Sequence, residues 1–162
     1  MRFLIFLAPL LISFAYAEEL KVISDSFKGD QQKGVSVFTG NVKVTKGHDE
    51  LNASKVTIYT DKENKPTKYY AEGDVSFYIV TEMGEKYRGK SQTSIYLPNE
   101  SEYQFFTKVD LIRIDDYRRV KGDKVIVNTV HGHASAESAN NEPVVMTFTL
   151  EDKKSKPKSV AK

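Results

Sequence analysis

The 162-residue chain contains no cysteine. Even in an oxidising compartment no disulfide framework would hold it, so the fold must rest on a packed core and on sheet hydrogen bonds. Histidine is scarce: His48, His131 and His133 are the three present, each in a turn-like stretch. A hydrolase needs a nucleophile with a base beside it; no such constellation occurs, and the chain reads as a non-enzyme. His131 and His133 stand two apart, a spacing that would put both on one face of a strand and within reach of a metal. No cysteine or carboxylate motif accompanies them, so they read as solvated loop residues and no metal or cofactor is expected. There is no glycine-rich phosphate loop. Arg113, Arg118, Arg119, Lys121 and Lys124 cluster, but Asp115, Asp116 and Asp123 are interleaved with them. That mixture reads as a solvated or salt-bridged sheet face, and no nucleic-acid partner is expected.

Beyond the N-terminus no stretch spaces its apolar residues at helical period. At that terminus Arg2 precedes an apolar run from Phe3 to Ile12, and Ala15 and Ala17 form a small-residue cleavage site. This is the pattern of a secretory signal peptide over residues 1–17, cleaved after Ala17. A membrane span needs about 20 apolar residues, more than the run supplies. At the other end, residues 151–162 carry Lys153, Lys154, Lys156, Lys158 and Lys162 around Pro157 with no apolar period, and read as a disordered basic tail. Residues 18–150 between them make one domain.

What fills that domain is alternation. Phe38, Gly40, Val42 and Val44 share one parity while Thr39, Asn41, Lys43 and Thr45 share the other, the period of a sheet with one dry face and one wet face. Lys46 to Glu50 is a polar break in which Gly47 takes up positive φ. A return strand follows with Leu51, Ala53, Val56 and Ile58, and its change of parity between Ala53 and Val56 predicts a bulge. The pattern recurs further on, with Val75 in the place of Val42, Phe77 and Ile79 in phase with it, and Ser91, Ser94 and Tyr96 on the return strand. A third, degenerate copy runs from Phe106 to Leu111 and returns over Val120 to Val127, having lost its glycine. Leu20 and Val22 lie on a first short strand. The stretch 26–34 reads as a turn or a poor strand, residues 134–139 as small and polar, and Val144 to Leu150 as a last strand. Paired strands in degenerate repeats of about 33 residues mean a stack of hairpin units with a common core: an all-β domain of many short antiparallel strands. Asn52-Ala53-Ser54, with Glu50 two residues ahead, matches a glycan acceptor, although Asn52 also begins a strand.

Phe38-Thr39-Gly40-Asn41-Val42-Lys43-Val44-Thr45-Lys46-Gly47, followed by Leu51-Asn52-Ala53-Ser54-Lys55-Val56, resembles the signature of the OstA-like, LptA-type family of periplasmic lipopolysaccharide-transport bridge proteins. Val120 to Val125 resembles its later repeat, and the likeness runs from about Leu20 to about Leu150. It implies a twisted, V-shaped, open β-jelly roll that binds lipid A between its sheets and stacks end to end across the periplasm. The implied partners are lipopolysaccharide, the inner-membrane OstA-like component of the export complex, the N-terminal periplasmic domain of the outer-membrane translocon, and a second copy, head to tail. The chain departs from the family at the lost glycine near Lys108 and at Gly29, where relatives carry an apolar residue.

The alternation fits that role on physical grounds. Burying an acyl chain is worth about 0.8 kcal/mol per methylene, so a carrier needs a long apolar groove. By parity and by resemblance its walls are Leu20, Val22, Val42, Val44, Val56, Ile58, Phe77, Tyr96, Val109, Leu111, Val125 and Val127, while Lys43, Ser76 and Ile95 point to the other side. Two alternatives keep the same strands. One is a β-domain with a closed core that joins proteins without a lipid. The other is an inner-membrane-anchored relative that retains its N-terminal helix.

Overall fold

The computed structural model describes residues 19–139 and 142–149; the stretches read as a signal peptide and a basic tail, and Leu150, lie outside them. The described residues form ten antiparallel strands: β1 Leu20–Ile23, β2 Ser26–Asp30, β3 Val35–Lys46, β4 Asp49–Thr60, β5 Pro66–Val80, β6 Lys86–Leu97, β7 Glu102–Arg113, β8 Arg119–Asn128, β9 Ala134–Glu137 and β10 Val145–Thr147. Among the described residues a single 3-10 turn, Pro98–Glu100, marks the proline break between β6 and β7. The strands make one sheet in the order β1-β3-β4-β5-β6-β7-β8-β10, with β2 also beside β3 and β9 also beside β8. The sheet is open: β1 and β2 share one edge, β9 and β10 the other.

Strands β3 to β8 are 10 to 15 residues long, longer than the short strands expected, because each is bent midway without its pairing being lost. Between Thr39 and Val42, β3 advances three residues while β4 advances two. β5 does the same against β6 between Glu72 and Val75, and β7 against β8 between Phe106 and Val109. The extra residues are Gly40-Asn41, Gly73-Asp74 and Thr107-Lys108, all at positive φ. A bulge of this kind sharpens the bend and twist of a strand. Three in register, on alternate strands, crease the whole sheet. The bulge expected in β4 is therefore at the right level but on its neighbours: β4 turns two successive residues outward, Ser54 and Lys55, and β3 and β5 hold the additional residue.

The degenerate third copy keeps this geometry without glycine. Thr107 sits at φ 62° where Gly40 has 83° and Gly73 has 81°, a conformation in which a β-branched side chain is strained. The first two bulges are braced from the side, Asn41 donating to Asp25 Oδ2 at 2.9 Å and Ser54 donating to the Gly73 carbonyl at 3.2 Å.

The crease produces two layers. The first contains β1, β10 and the arms 42–46, 49–52, 75–80, 86–91, 109–113 and 119–122. The second contains β2, β9 and the arms 35–39, 55–60, 66–72, 93–97, 102–106 and 124–128. Their apolar parities face each other as the core, which includes Val42, Val56, Val75, Phe105, Val125 and Val127, each at most 1% exposed. Full burial is worth about 1.5–3 kcal/mol per large apolar side chain. β2 falls in the stretch that reads as a poor strand and β9 in the small, polar one. Both hold because a long neighbour supplies the register: Phe27 pairs with Phe38 and Ala136 with Val125.

Candidate functional site

Between the layers, near their β1 side, lies a mostly apolar hollow lined by Leu20, Val44, Leu51, Val56, Tyr69, Ala71, Phe77, Ile79, Ser94, Tyr96, Tyr103 and Phe105, with Lys46, Asp49 and Glu50 at its mouth. Small residues make room for the large ones. Gly89 is paired with Phe77, and a Cβ there would stand 2.6 Å from Phe77 Cζ and 2.5 Å from the Asp110 carbonyl. Ser94 is likewise paired with Phe105. The rings of Phe77 and Phe105, one from each layer, stack at 3.9 Å, and Tyr96 stacks on Tyr103 at 4.3 Å.

Polar groups bridge the layers at the mouth. Tyr103 donates its hydroxyl to Asp49 Oδ2 at 2.6 Å, and Asp49 Oδ1 accepts from the Val80 amide at 2.9 Å. Beyond them the amide of Glu82, in the β5–β6 turn, donates to the Thr129 carbonyl at 3.2 Å. Burial first, then the Asp49 carboxylate, pushes the Tyr103 hydroxyl well above the ordinary tyrosine pKa. Burial also raises Tyr69, against the opposing pull of Lys46. The Lys46 ammonium lies 5.5 Å from the centre of the Tyr96 ring.

The cavity volume is about 50 Å³, against roughly 300–1,000 Å³ for a site that holds a drug-sized ligand. The walls are largely apolar, but they are closed on one another.

Of the residues expected to line a groove, Leu20, Val44, Val56, Phe77 and Tyr96 border this hollow. Leu111 and Val125 border a second one, of about 260 Å³, toward β9 and β10. Val22 packs half-buried against the core, and Val42, Ile58, Val109 and Val127 are buried within it, bordering neither hollow. Sequence reasoning missed Tyr69, Ile79, Tyr103, Phe105 and the Asp49 bridge. Tyr103 and Phe105 alternate with Gln104, a signal that was available. Starting the third copy at Phe106 left out the first half of β7, which runs unbroken from Glu102 to Arg113.

The opposite faces carry what alternation demands. Lys43 pairs with Glu50 at 3.2 Å and Lys55 with Glu72 at 3.3 Å, while Ser76 is half-buried. The basic cluster is salt-bridged, as read: Arg119 binds Asp110, Arg118 binds Asp116, and Lys124 binds Glu137. The Arg119 hydrogen bonds hold the Asp110 carboxyl below its usual range. His131 and His133 are exposed in the turn after β8, their rings 6.1 Å apart; among the described residues no three histidines, cysteines or carboxylates gather as metal ligands do. Asn52 lies mid-strand, its backbone paired with Lys43 and Ser76, so it could act as a glycan acceptor only if β4 opened.

Residues 21–133 match the family described as LptA/(LptD N-terminal domain) LPS transport protein. Among solved structures the fold is similar to that of LptH from Pseudomonas aeruginosa, described as the LptA homologous periplasmic component of the lipopolysaccharide transport device. The identity is 20% and the TM-score 0.72, covering 82% of this chain and 96% of that one. No curated protein matches the chain.

Proposed function

The chain belongs to the LptA/(LptD N-terminal domain) LPS transport protein family, and on that premise we propose that it binds the lipid A part of lipopolysaccharide between its two layers. In this reading it carries the lipid across the periplasm, from the inner-membrane export complex to the outer-membrane assembly complex, as one unit of an end-to-end bridge. The chain is exported and cleaved after Ala17, and it performs no catalysis.

The apolar hollow between two layers of an open sheet is the observation that carries this reading. The sheet edges support the bridge. Ile23 and Phe27 are 53% and 59% exposed on one, and Met146 and Phe148 are 52% and 53% exposed at the other. Unpaired strands flanked by apolar side chains invite strand addition. The partners at those edges are the inner-membrane OstA-like component, the N-terminal periplasmic domain of the outer-membrane translocon, and further copies, head to tail.

A hollow of about 50 Å³ must open to admit acyl chains. Opening separates Phe77 from Phe105 and parts the Asp49–Tyr103 bond, at a cost offset by about 0.8 kcal/mol for each methylene buried. The same small volume favours a second reading, a closed β-domain that joins proteins without a lipid.

Photocrosslinking separates the two. A photoreactive residue at Phe77 or Tyr96 should crosslink to lipopolysaccharide, and one at Lys43 or Ser76 should not, because neighbours on one strand face opposite ways. Equal crosslinking from both sides, or none from Phe77 and Tyr96, would overturn the lipid reading.

A further inference from the structure

The second hollow, of about 260 Å³, has an apolar wall formed by Leu111, Val120 and Val125 and a cationic one formed by Arg113 and Arg118. Arg113 Nη1 holds Glu85 Oε1 at 3.0 Å. Its Nε is buried with no hydrogen-bond partner. The nearest carboxylate oxygen recorded for that atom is Asp116 Oδ2, at 3.7 Å, too far for a hydrogen bond. That same oxygen is only 2.6 Å from Arg118 Nε. One carboxylate oxygen thus faces two guanidinium groups and satisfies one of them. A buried, unsatisfied donor of this kind is costly and calls for an explanation.

A phosphate group has the shape that Asp116 lacks. Its several acceptor oxygens can engage two guanidinium forks at once, which a single carboxylate oxygen cannot. We propose that Arg113 and Arg118 form the headgroup subsite for a phosphorylated lipid, the phosphate lying between the two guanidinium groups and the adjoining acyl chain on Leu111, Val120 and Val125. Asp116 occupies the anion position beside the two guanidinium groups. It lies in the β7–β8 turn with its side chain about one-third exposed, so it can swing into solvent as the phosphate enters. With Glu85 retained on Arg113, the exchange of Asp116 for phosphate keeps the site close to neutral, and so excludes anions that cannot displace the carboxylate. This inference rests on the proposal that the space between the layers takes lipid.

The test measures binding of phosphorylated lipid A and of the same lipid after chemical dephosphorylation to the exported chain, with inorganic phosphate as competitor. The wild type should bind the phosphorylated form about tenfold more tightly. Arg118→Gln, at a half-exposed position that leaves the core intact, should abolish that preference without altering affinity for the dephosphorylated lipid. Arg118→Lys should restore part of it, and Asp116→Asn should increase it. Inorganic phosphate should compete only at concentrations far above the lipid's. Equal binding of both lipid forms by the wild type, an equal loss for both in Arg118→Gln, or an unchanged preference in Asp116→Asn overturns the subsite while leaving lipid binding in place. Failure to bind either lipid form overturns the lipid reading itself. Thermal melting of each variant confirms that the fold is intact.

Discussion

Removing one oxygen, by Tyr103→Phe, should weaken the fold and speed lipid entry together. The substitution deletes the donor 2.6 Å from Asp49 and keeps the ring that stacks on Tyr96. A hydrogen bond to a charged group contributes about 1.5–3 kcal/mol. The low end applies here, because Asp49 keeps its bond from the Val80 amide and borders a polar hollow at the mouth. A loss of about 1.5 kcal/mol lowers the melting temperature by about 4–6 °C in a domain of this size. If opening the groove breaks this bond, the closed state loses that same free energy relative to the open one. The open population, and with it the rate of lipid uptake, then rises about tenfold. Thermal melting alongside time-resolved uptake of a fluorescent lipid reads both quantities. Asp49→Asn, which keeps an acceptor, should change both less. A variant that melts early yet takes up lipid no faster than wild type would show that the Asp49–Tyr103 bond is not part of the opening.

Thr107→Gly should stabilise the fold by about 0.5 kcal/mol, the relief of about 1–2 kcal/mol of left-handed strain less the greater entropy of an unfolded glycine. Gly40→Thr should destabilise it, because a Cβ at Gly40 collides with the Asp25 carboxylate; denaturant midpoints of equal sign for the two would refute the bulge argument. Stability should fall as pH rises above 10, because unfolded tyrosines ionise near 10 while burial holds Tyr69 and Tyr103 protonated and, with the Glu85 hydrogen bond, pushes Tyr87 up to about 12. The folded state then binds more protons than the unfolded one, the sign that costs stability. Midpoints that stay level from pH 9 to 11.5, or a Tyr87→Phe variant with an unchanged slope, would contradict this. Sedimentation should reveal concentration-dependent oligomers that proline at Val22 or Phe148 disrupts, and a strict monomer at high concentration would remove the edge-pairing account.

Alternation is local chemistry, and the sequence by itself determined everything that alternation controls. Val42, Val44, Val56, Phe77, Val109, Leu111, Val125 and Val127 face inward because side chains on a strand point to opposite faces with period 2. The bend level was visible too, in the change of parity between Ala53 and Val56. The third bend was not, because Thr107 and Lys108 adopt positive φ against their own preference, under the pairing of β7 with β6 and β8. β9 was missed for the same reason: Ala134 to Glu137 has little strand propensity, and its register comes from β8. What only the tertiary structure decided is which inward side chains meet across the crease. Asp49 reaches Tyr103, 54 positions away, Phe77 stacks on Phe105, and Asp116 stands between Arg113 and Arg118 without satisfying both. Such contacts depend on the summed angle of three bulges and on the volumes of Gly89 and Ser94. The period of a strand records which face a residue occupies, but not how far the opposite face has turned to meet it.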